Sequence, residues 1–448
     1  MHGFFHTAVE WTADIKHETD GNTGKKTYRR FLMSKTTGNA KDTRPKLKPV
    51  EKVNLSSKRW PLRLAIVIVA IIVAGLAFGY AFSQLVHGDE GWQTIRASSS
   101  ELPACDSEMV LRYNLGAGEM SAGAEKKAVM QVYTDACVEM YRLLDATVQY
   151  GAVHNMAYIN AHPNEEIEVD EPLYRVFELI NKYDSKQIFL APLYADYYNL
   201  FSSEDDVIAA RFDPRRNADT AGYFEKVSGY IKNVRLVLSS GNTIRLEIPQ
   251  DYMQFAKDNG IETFIDLWWM RTAFMIDHAA QALRNAGFEN GILGSEEGFS
   301  TSLGKNGSVS ASVYDRENGK RIETAEVKFD APASAVYFHL RPDAQADRTY
   351  RYEYADSSVT GLYLSVNDGL CYAAKEDMYF YSHTAGCGEV LLKMLPVYAS
   401  AALDTDSVKK AASEGIYSVW CEENTIYATD KNAEITPASG AQYGIVKG

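Results

Sequence analysis

From Leu64 to Val86 the chain runs LAIVIVAIIVAGLAFGYAFSQLV, a stretch with no charged residue. At roughly 1.5 Å per residue a helix over it is about 34 Å long, enough to cross a hydrocarbon core of about 30 Å. Lys58, Arg59 and Arg63 crowd its N-terminal edge, and Trp60 stands at interface depth. Residues 1–63 carry 14 Lys/Arg against 6 Asp/Glu. The positive-inside rule therefore places 1–63 in the cytoplasm as a basic tail, and everything past 64–86 outside the cell membrane. Gly75 and Gly79 are four apart, a spacing that lets two such helices pack and so allows a homodimer, although glycine is frequent in spans without any pairing. The competing reading, a cleaved signal peptide, expects a shorter apolar stretch close to the N-terminus. Leu102-Pro103-Ala104-Cys105 imitates a lipoprotein processing box. The polar run GDEGWQTIRASSSE separates it from the apolar stretch, so Cys105 reads as an ordinary cysteine.

Past the span the period changes. Residues 20–58 show little periodicity and read as disordered, and 87–106 read as a linker before a domain over 107–448. Val129, Val132, Tyr133, Ala136, Cys137, Met140, Leu143 and Leu144 recur at three- and four-residue steps, which predicts an amphipathic helix. Asp170 with Pro172 starts a second helix that buries Leu173, Val176, Phe177 and Ile180. Further helices are expected at 203–211, at 220–232 and from about 270 to a glycine cap at Gly287. VRLVLSS and TIRLEI on either side of Gly241-Asn242 predict a hairpin, and Asn306-Gly307 and Asn318-Gly319 are two more hairpin-turn dipeptides. Strands near 335–341 and 361–366, a helix near 386–402 and a strand pair at 416–429 complete an α+β domain.

Charge separates the two sides of the span. Of 46 basic and 59 acidic residues, the part beyond the tail holds 32 and 53, a net charge of −21. A domain so acidic repels nucleic acid and anionic surfaces, so no nucleic-acid partner is expected. The tail is basic enough to touch anionic lipid heads, and a plain positive-inside flank accounts for it equally. All five cysteines (Cys105, Cys137, Cys371, Cys387 and Cys421) lie beyond the span. The odd count leaves at least one thiol unpaired, with one or two disulfides open and no CxxC pair. The six histidines beyond the tail form no HxH, HxxxH or HExxH, which argues against zinc. Gly118 to Gly123 has the length of a phosphate loop, but Ala124 stands where its lysine is required. There is no GxSxG, and no GxGxxG follows a strand.

One stretch points further. FIDLWWMRTAFMIDHAAQALRNAGFENGILGSEEG, from Phe264 to Gly298, resembles the central segment of the ApbE family, the FAD:protein FMN transferases. In that family an Asp-Leu-Gly-Gly turn leads through Lys-Gly to an Asp-started helix that ends in glycine, and a strand with a second glycine pair follows. Asp266-Leu267, Asp277, Ala279-Ala280, Leu283, Gly287, Asn290 and Gly294 fall at matching positions. Tyr158-Ile159-Asn160 resembles the leucine-asparagine step after the family's first helix. Residues 171–193 resemble the helix leading to its next loop, and 386–429 its last helix and strand pair. The resemblance thus spans roughly 107–430. It implies an ApbE-like flavin transferase fold after one N-terminal transmembrane helix, with FAD and Mg²⁺ as cofactors and an extracytoplasmic flavoprotein or membrane redox complex as partner. A divalent metal is needed there to neutralise charge on the leaving AMP, and glycines let the backbone approach the dinucleotide. By this resemblance Asn160, Asp266, Trp268, Trp269, Thr272, Asp277 and Gly294 would face the cofactor, and Asp266 and Ser400 the metal.

The same alignment shows departures. Trp268 and Trp269 replace the two glycines, and Thr272-Ala273 the Lys-Gly pair. The family's Asp-x-x-x-Thr metal step, near the start of its last helix, aligns with Pro396 to Ser400, and a proline side chain cannot ligate a metal. Its His-x-x-Asp-Pro-x-Thr-Gly loop falls near 371–386, where Glu376 and Asp377 are the only carboxylates. Its Phe-Asp-Pro reads Ile188-Phe189-Leu190. The matched residues also have plain readings: Asp277 as a helix N-cap, Asn160 as a turn closer, the two tryptophans as core filling or a partner interface rather than stacking platforms. No acceptor sequence of the Ser/Thr-Gly-Ala-Thr type occurs. Three functions stay open: a degenerate ApbE-like domain that binds a flavin, another ligand or a partner; a working transferase with displaced ligands; and a structural or assembly subunit.

Overall fold

A computed structural model of the chain describes residues 90–304, 309–317, 320–329, 332–340, 350–440 and 442–448. The tail 1–63, the expected span 64–86 and the dipeptides Asn306-Gly307 and Asn318-Gly319 lie outside the described residues. Among the described residues, no helix is long and apolar enough to cross a membrane.

In chain order, β1 (Gly91–Ile95) and β2 (Met109–Leu115) lead to the long helix α1 (Ala122–Leu144), then α2 (Met156–Ala161), β3 (Ile167–Glu168), α3 (Glu171–Lys182), α4 (Ala191–Phe201), α5 (Asp206–Phe212) and α6 (Ala218–Ile231). A hairpin of β4 (Arg235–Ser239) and β5 (Thr243–Glu247) precedes α7 (Gln250–Asn259) and α8 (Arg271–Asn285). Next come β6 (Gly291–Ser295), β7 (Phe299–Ser302), β8 (Val309–Glu317), β9 (Lys320–Phe329), β10 (Ser334–His339), β11 (Arg351–Glu353), β12 (Val359–Gly361) and β13 (Asp377–Ser382). The chain ends with α9 (Cys387–Tyr398), α10 (Thr405–Ser413), β14 (Ile416–Glu422), β15 (Thr425–Ala428), β16 (Glu434–Pro437) and β17 (Gly444–Lys447).

The centre is a nine-stranded sheet in the order β1-β2-β6-β7-β10-β13-β14-β15-β17, antiparallel except for the last pair. Side chains alternate across it with the period of two that a strand imposes. Val336, Phe338, Met378 and Phe380 enter a large core shared with α1, α8 and α9. Ala335, Tyr381, Val419 and Ile426 point the other way, into a smaller core closed by the sheet β16-β9-β8. The apolar stripe expected on α1 is the buried one, with Val129, Tyr133, Cys137, Met140 and Leu144 all inside. In the β4–β5 hairpin Gly241 and Asn242 have φ of 73° and 53°, the paired left-handed conformation a two-residue turn needs.

Several expectations change. The segment 87–106 is no mere linker: β1 pairs with β2 residue by residue from Gly91–Leu115 to Ile95–Leu111, and Cys105 and Asp106 are buried. The Asp170 side chain makes no capping bond although Pro172 occupies the first turn of α3. The strands flanking Asn306-Gly307 are not a hairpin, because β7 pairs with β6 and β10 whereas β8 pairs with β9. Among the described residues all five cysteines are free thiols, so no disulfide staples the domain. Helices α4, α7 and α10 were not expected. The first of these, APLYADYYNLF, is rich in aromatics with weak helix propensity and is held by burial of Leu193, Tyr194, Tyr197 and Leu200 instead.

Candidate functional site

The turn before α8 is fixed from below by Asn160. Its Oδ1 accepts the Phe264 and Ile265 amides at 2.9 and 3.0 Å, and its Nδ2 donates to the Ile265 carbonyl at 2.9 Å. The side chain is buried and its hydrogen-bonding capacity is spent on the chain. Asn160 therefore shapes the site from behind, which corrects its expected place on a cofactor. Asp266 follows, with its amide on the Ile188 carbonyl and its Oδ1 accepting the Trp268 amide at 2.9 Å.

Trp268 has φ of 48°, the left-handed region that a bulky side chain rarely adopts. The backbone here keeps a glycine-type turn and carries an indole on it. That indole lies on Tyr198, ring centroids 4.7 Å apart and 21° from parallel, and its buried Nε1 has no partner. Trp269 turns inward. Only 4% exposed, it lies parallel to Phe299 and edge-on to Phe338 and Tyr363. It packs as a core residue, with its edge at the cavity described below.

Beside this turn a cavity of about 390 Å³ remains. Glu108, Asp145, Asp266 and Arg271 line it together with Tyr198, Trp268 and Tyr350. Arg271 is clamped on Glu108 through two bonds of 2.7 and 3.1 Å, and the Thr272 hydroxyl donates to the same carboxylate at 3.2 Å. Thr272 is wholly buried, so it holds Glu108 and does not face a cofactor. Burial alone would raise the Asp145 carboxyl, but the Thr147 and Val148 amides and the Tyr150 hydroxyl outweigh it and hold the group below its ordinary range. Asp266 is pushed up to about 6 by burial, against the opposing pull of the Trp268 amide and Arg271. Behind Tyr350, whose hydroxyl donates to Glu297 Oε1 at 3.0 Å, Glu297 is raised to about 7 by burial and then by Glu108, and its Oε2 has no partner.

The other expected site residues lie elsewhere. Asp277 is inside α8, not at its start, and it caps a different helix: its oxygens accept the Cys387 and Gly388 amides at 2.7 and 2.8 Å. Burial raises it to about 6 despite those bonds. A Cβ on Gly386 would lie 2.4 Å from Asp277 Oδ2, and one on Gly388 2.8 Å from the Phe274 ring. The glycines at this end of α9 thus permit the close approach. Gly294 sits inside β6, bridged to Val110 and Ser300, and a Cβ there would meet nothing closer than 3.7 Å. Ser400 lies past the C-terminal end of α9, with its hydroxyl on the Val397 and Ala402 carbonyls. The start of α9, where the metal step belongs, reads Gly386-Cys387-Gly388-Glu389-Val390-Leu391, with neither Asp nor Thr. Glu376 pairs with Arg316, and Asp377 accepts the Tyr337 hydroxyl, beside another cavity.

The residues present do not fit FAD with Mg²⁺. The Trp268 indole fills the space beside the turn by stacking on Tyr198, and Glu108 and Asp145 are committed to protein donors. Among the described residues no group of three His, Cys, Asp or Glu is placed to hold a metal. Sequence reasoning missed Glu108, Asp145, Tyr198, Arg271, Glu297 and Tyr350. Arg271 and Glu297 lay inside the stretch that carried the resemblance, Arg271 as a cation beside the turn and Glu297 in the polar run Ser295-Glu296-Glu297; the other four had no local signal.

No model of a protein family matches this sequence, and no curated protein does. Solved structures do match. The ApbE protein of Thermotoga maritima superposes with a TM-score of 0.50 at 13% identity, covering 78% of this chain and 97% of that one. The flavin transferase ApbE of Vibrio cholerae gives 0.49 at 11%, over 78% and 97%. At such identities the likeness, carried by the first of these, concerns the backbone path alone: the described part of this chain has the ApbE-like flavin transferase fold in a sequence that has diverged far from it.

Proposed function

We propose that the chain carries an ApbE-like domain that no longer transfers flavin and instead binds a ligand or a partner, held by the span at 64–86 at the outer face of a membrane. The observation that carries this reading is Trp268. A strained left-handed backbone with an indole stacked on Tyr198 keeps the shape of the turn and removes the opening that FAD would use. The carboxylates that remain beside it are too committed and too few to form a magnesium site, which takes several oxygens in near-octahedral geometry. The packing of Trp269 among Phe299, Phe338 and Tyr363 favours a second reading, a structural subunit of a membrane complex, over a working transferase. Equilibrium titration of the detergent-solubilised full chain with FAD, with and without Mg²⁺, tests the proposal through flavin fluorescence. No saturable quenching is expected, and tight metal-dependent quenching would overturn it.

A further inference from the structure

We infer that the cavity beside Asp266 is a binding site for a small organic cation, an alkylammonium or quaternary ammonium group. The inference rests on the reading that the cleft does not take FAD. Its volume of about 390 Å³ is at the small end of the range for small-molecule sites, about 300–1,000 Å³. Three carboxylates line it, and the single cation, Arg271, is fully engaged on Glu108. Asp266 shares that same arginine and Asp145 has no other cation in the lining, so the wall is net negative and an anion is repelled. The rings of Tyr198, Trp268 and Tyr350 line the same space, and aromatic faces attract a cation through the ring quadrupole, most strongly where water is excluded. A hard inorganic cation wants a convergent set of oxygens at short range, which is lacking among the described residues.

A further buried acid stands close to this lining. Glu297 is only 5% exposed and lies behind Tyr350, whose hydroxyl donates to its Oε1 at 3.0 Å. A buried acid kept beside the wall adds to the negative potential felt by a cation whenever it is ionised.

The test is calorimetric titration of the detergent-solubilised full chain with choline and with its uncharged isostere 3,3-dimethylbutan-1-ol. Choline is expected to bind saturably and the isostere about tenfold or more weakly, the scale of a desolvated cation–aromatic contact. Asp266→Asn should weaken choline about tenfold and leave the isostere unchanged, and Trp268→Leu should weaken both. Thermal unfolding of each variant, compared with the parent, keeps a folding defect from passing as lost binding. Equal binding of the two probes, no binding of either, or displacement of choline by equimolar Mg²⁺ overturns the inference. AMP release from FAD would remove instead the reading on which the inference rests.

Discussion

Two glycine-dependent joints of this domain have gone opposite ways. At the start of α9, Gly386 and Gly388 still bring the helix against α8, and Asp277 takes both of its first free amides. At the turn after Asp266 the glycines have become tryptophans, yet the backbone of Trp268 still holds a glycine-like φ of 48°. The first joint serves the packing of two helices, and the second borders a cavity. The difference teaches that a close helix contact demands glycine, whereas a left-handed turn can carry a tryptophan once a neighbouring ring takes up the indole.

If that contrast is right, the largest losses come from the scaffold. Asn160→Ala should cost about 3 kcal/mol in denaturant unfolding, since the Phe264 and Ile265 amides and the Ile265 carbonyl lose a partner in a buried place. A cost near zero would show that the turn is held by something else. Gly386→Ala should cost about 2–3 kcal/mol, the range for overpacking, because a Cβ meets an aspartate pinned by two amides. Trp268→Gly should cost about 1–2 kcal/mol net, as the lost indole contacts outweigh the relief of the left-handed strain. Flavin titration of the same variant tests whether the indole is what keeps FAD out. The smallest effect is on pH dependence. Glu297 sits near 7 in the folded chain against about 4.3 unfolded, so the folded state binds its proton more tightly. It therefore adds stability at low pH that is lost as the pH rises from about 4 to 7. Unfolding temperatures of Glu297→Gln should fall less steeply across that window than those of the parent.

Much of the fold was legible because burial repeats along the chain. The stripe on α1, the Gly241-Asn242 hairpin and the cap at Gly287, whose φ is 82°, each follow from a local rule. What was not legible lay in long-range partnerships. Asp277 looked like the cap of its own helix because sequence distance hides that α9, more than a hundred residues on, presents its amides to it. Ser400 was placed at the metal step of a helix expected over 386–402, yet the helix runs only from Cys387 to Tyr398 and Ser400 lies past its end. The Asp266 turn was recognised by residue type, but whether Trp268 and Trp269 stack on a ligand or on neighbours depends on Tyr198, Phe299 and Phe338, which no spacing brings together. Glu108 and Tyr350 escaped notice for the same reason: each is an unremarkable residue until the sheet and α8 place it against the cavity.

The central claim is that this fold has kept its frame and lost its flavin chemistry. It is tested most directly by incubating the full chain with FAD, Mg²⁺ and a flavin-acceptor protein carrying the Ser/Thr-Gly-Ala-Thr sequence, then quantifying AMP by chromatography. No AMP above the protein-free control is expected from the parent chain. AMP release that disappears on Asp266→Ala would contradict the account.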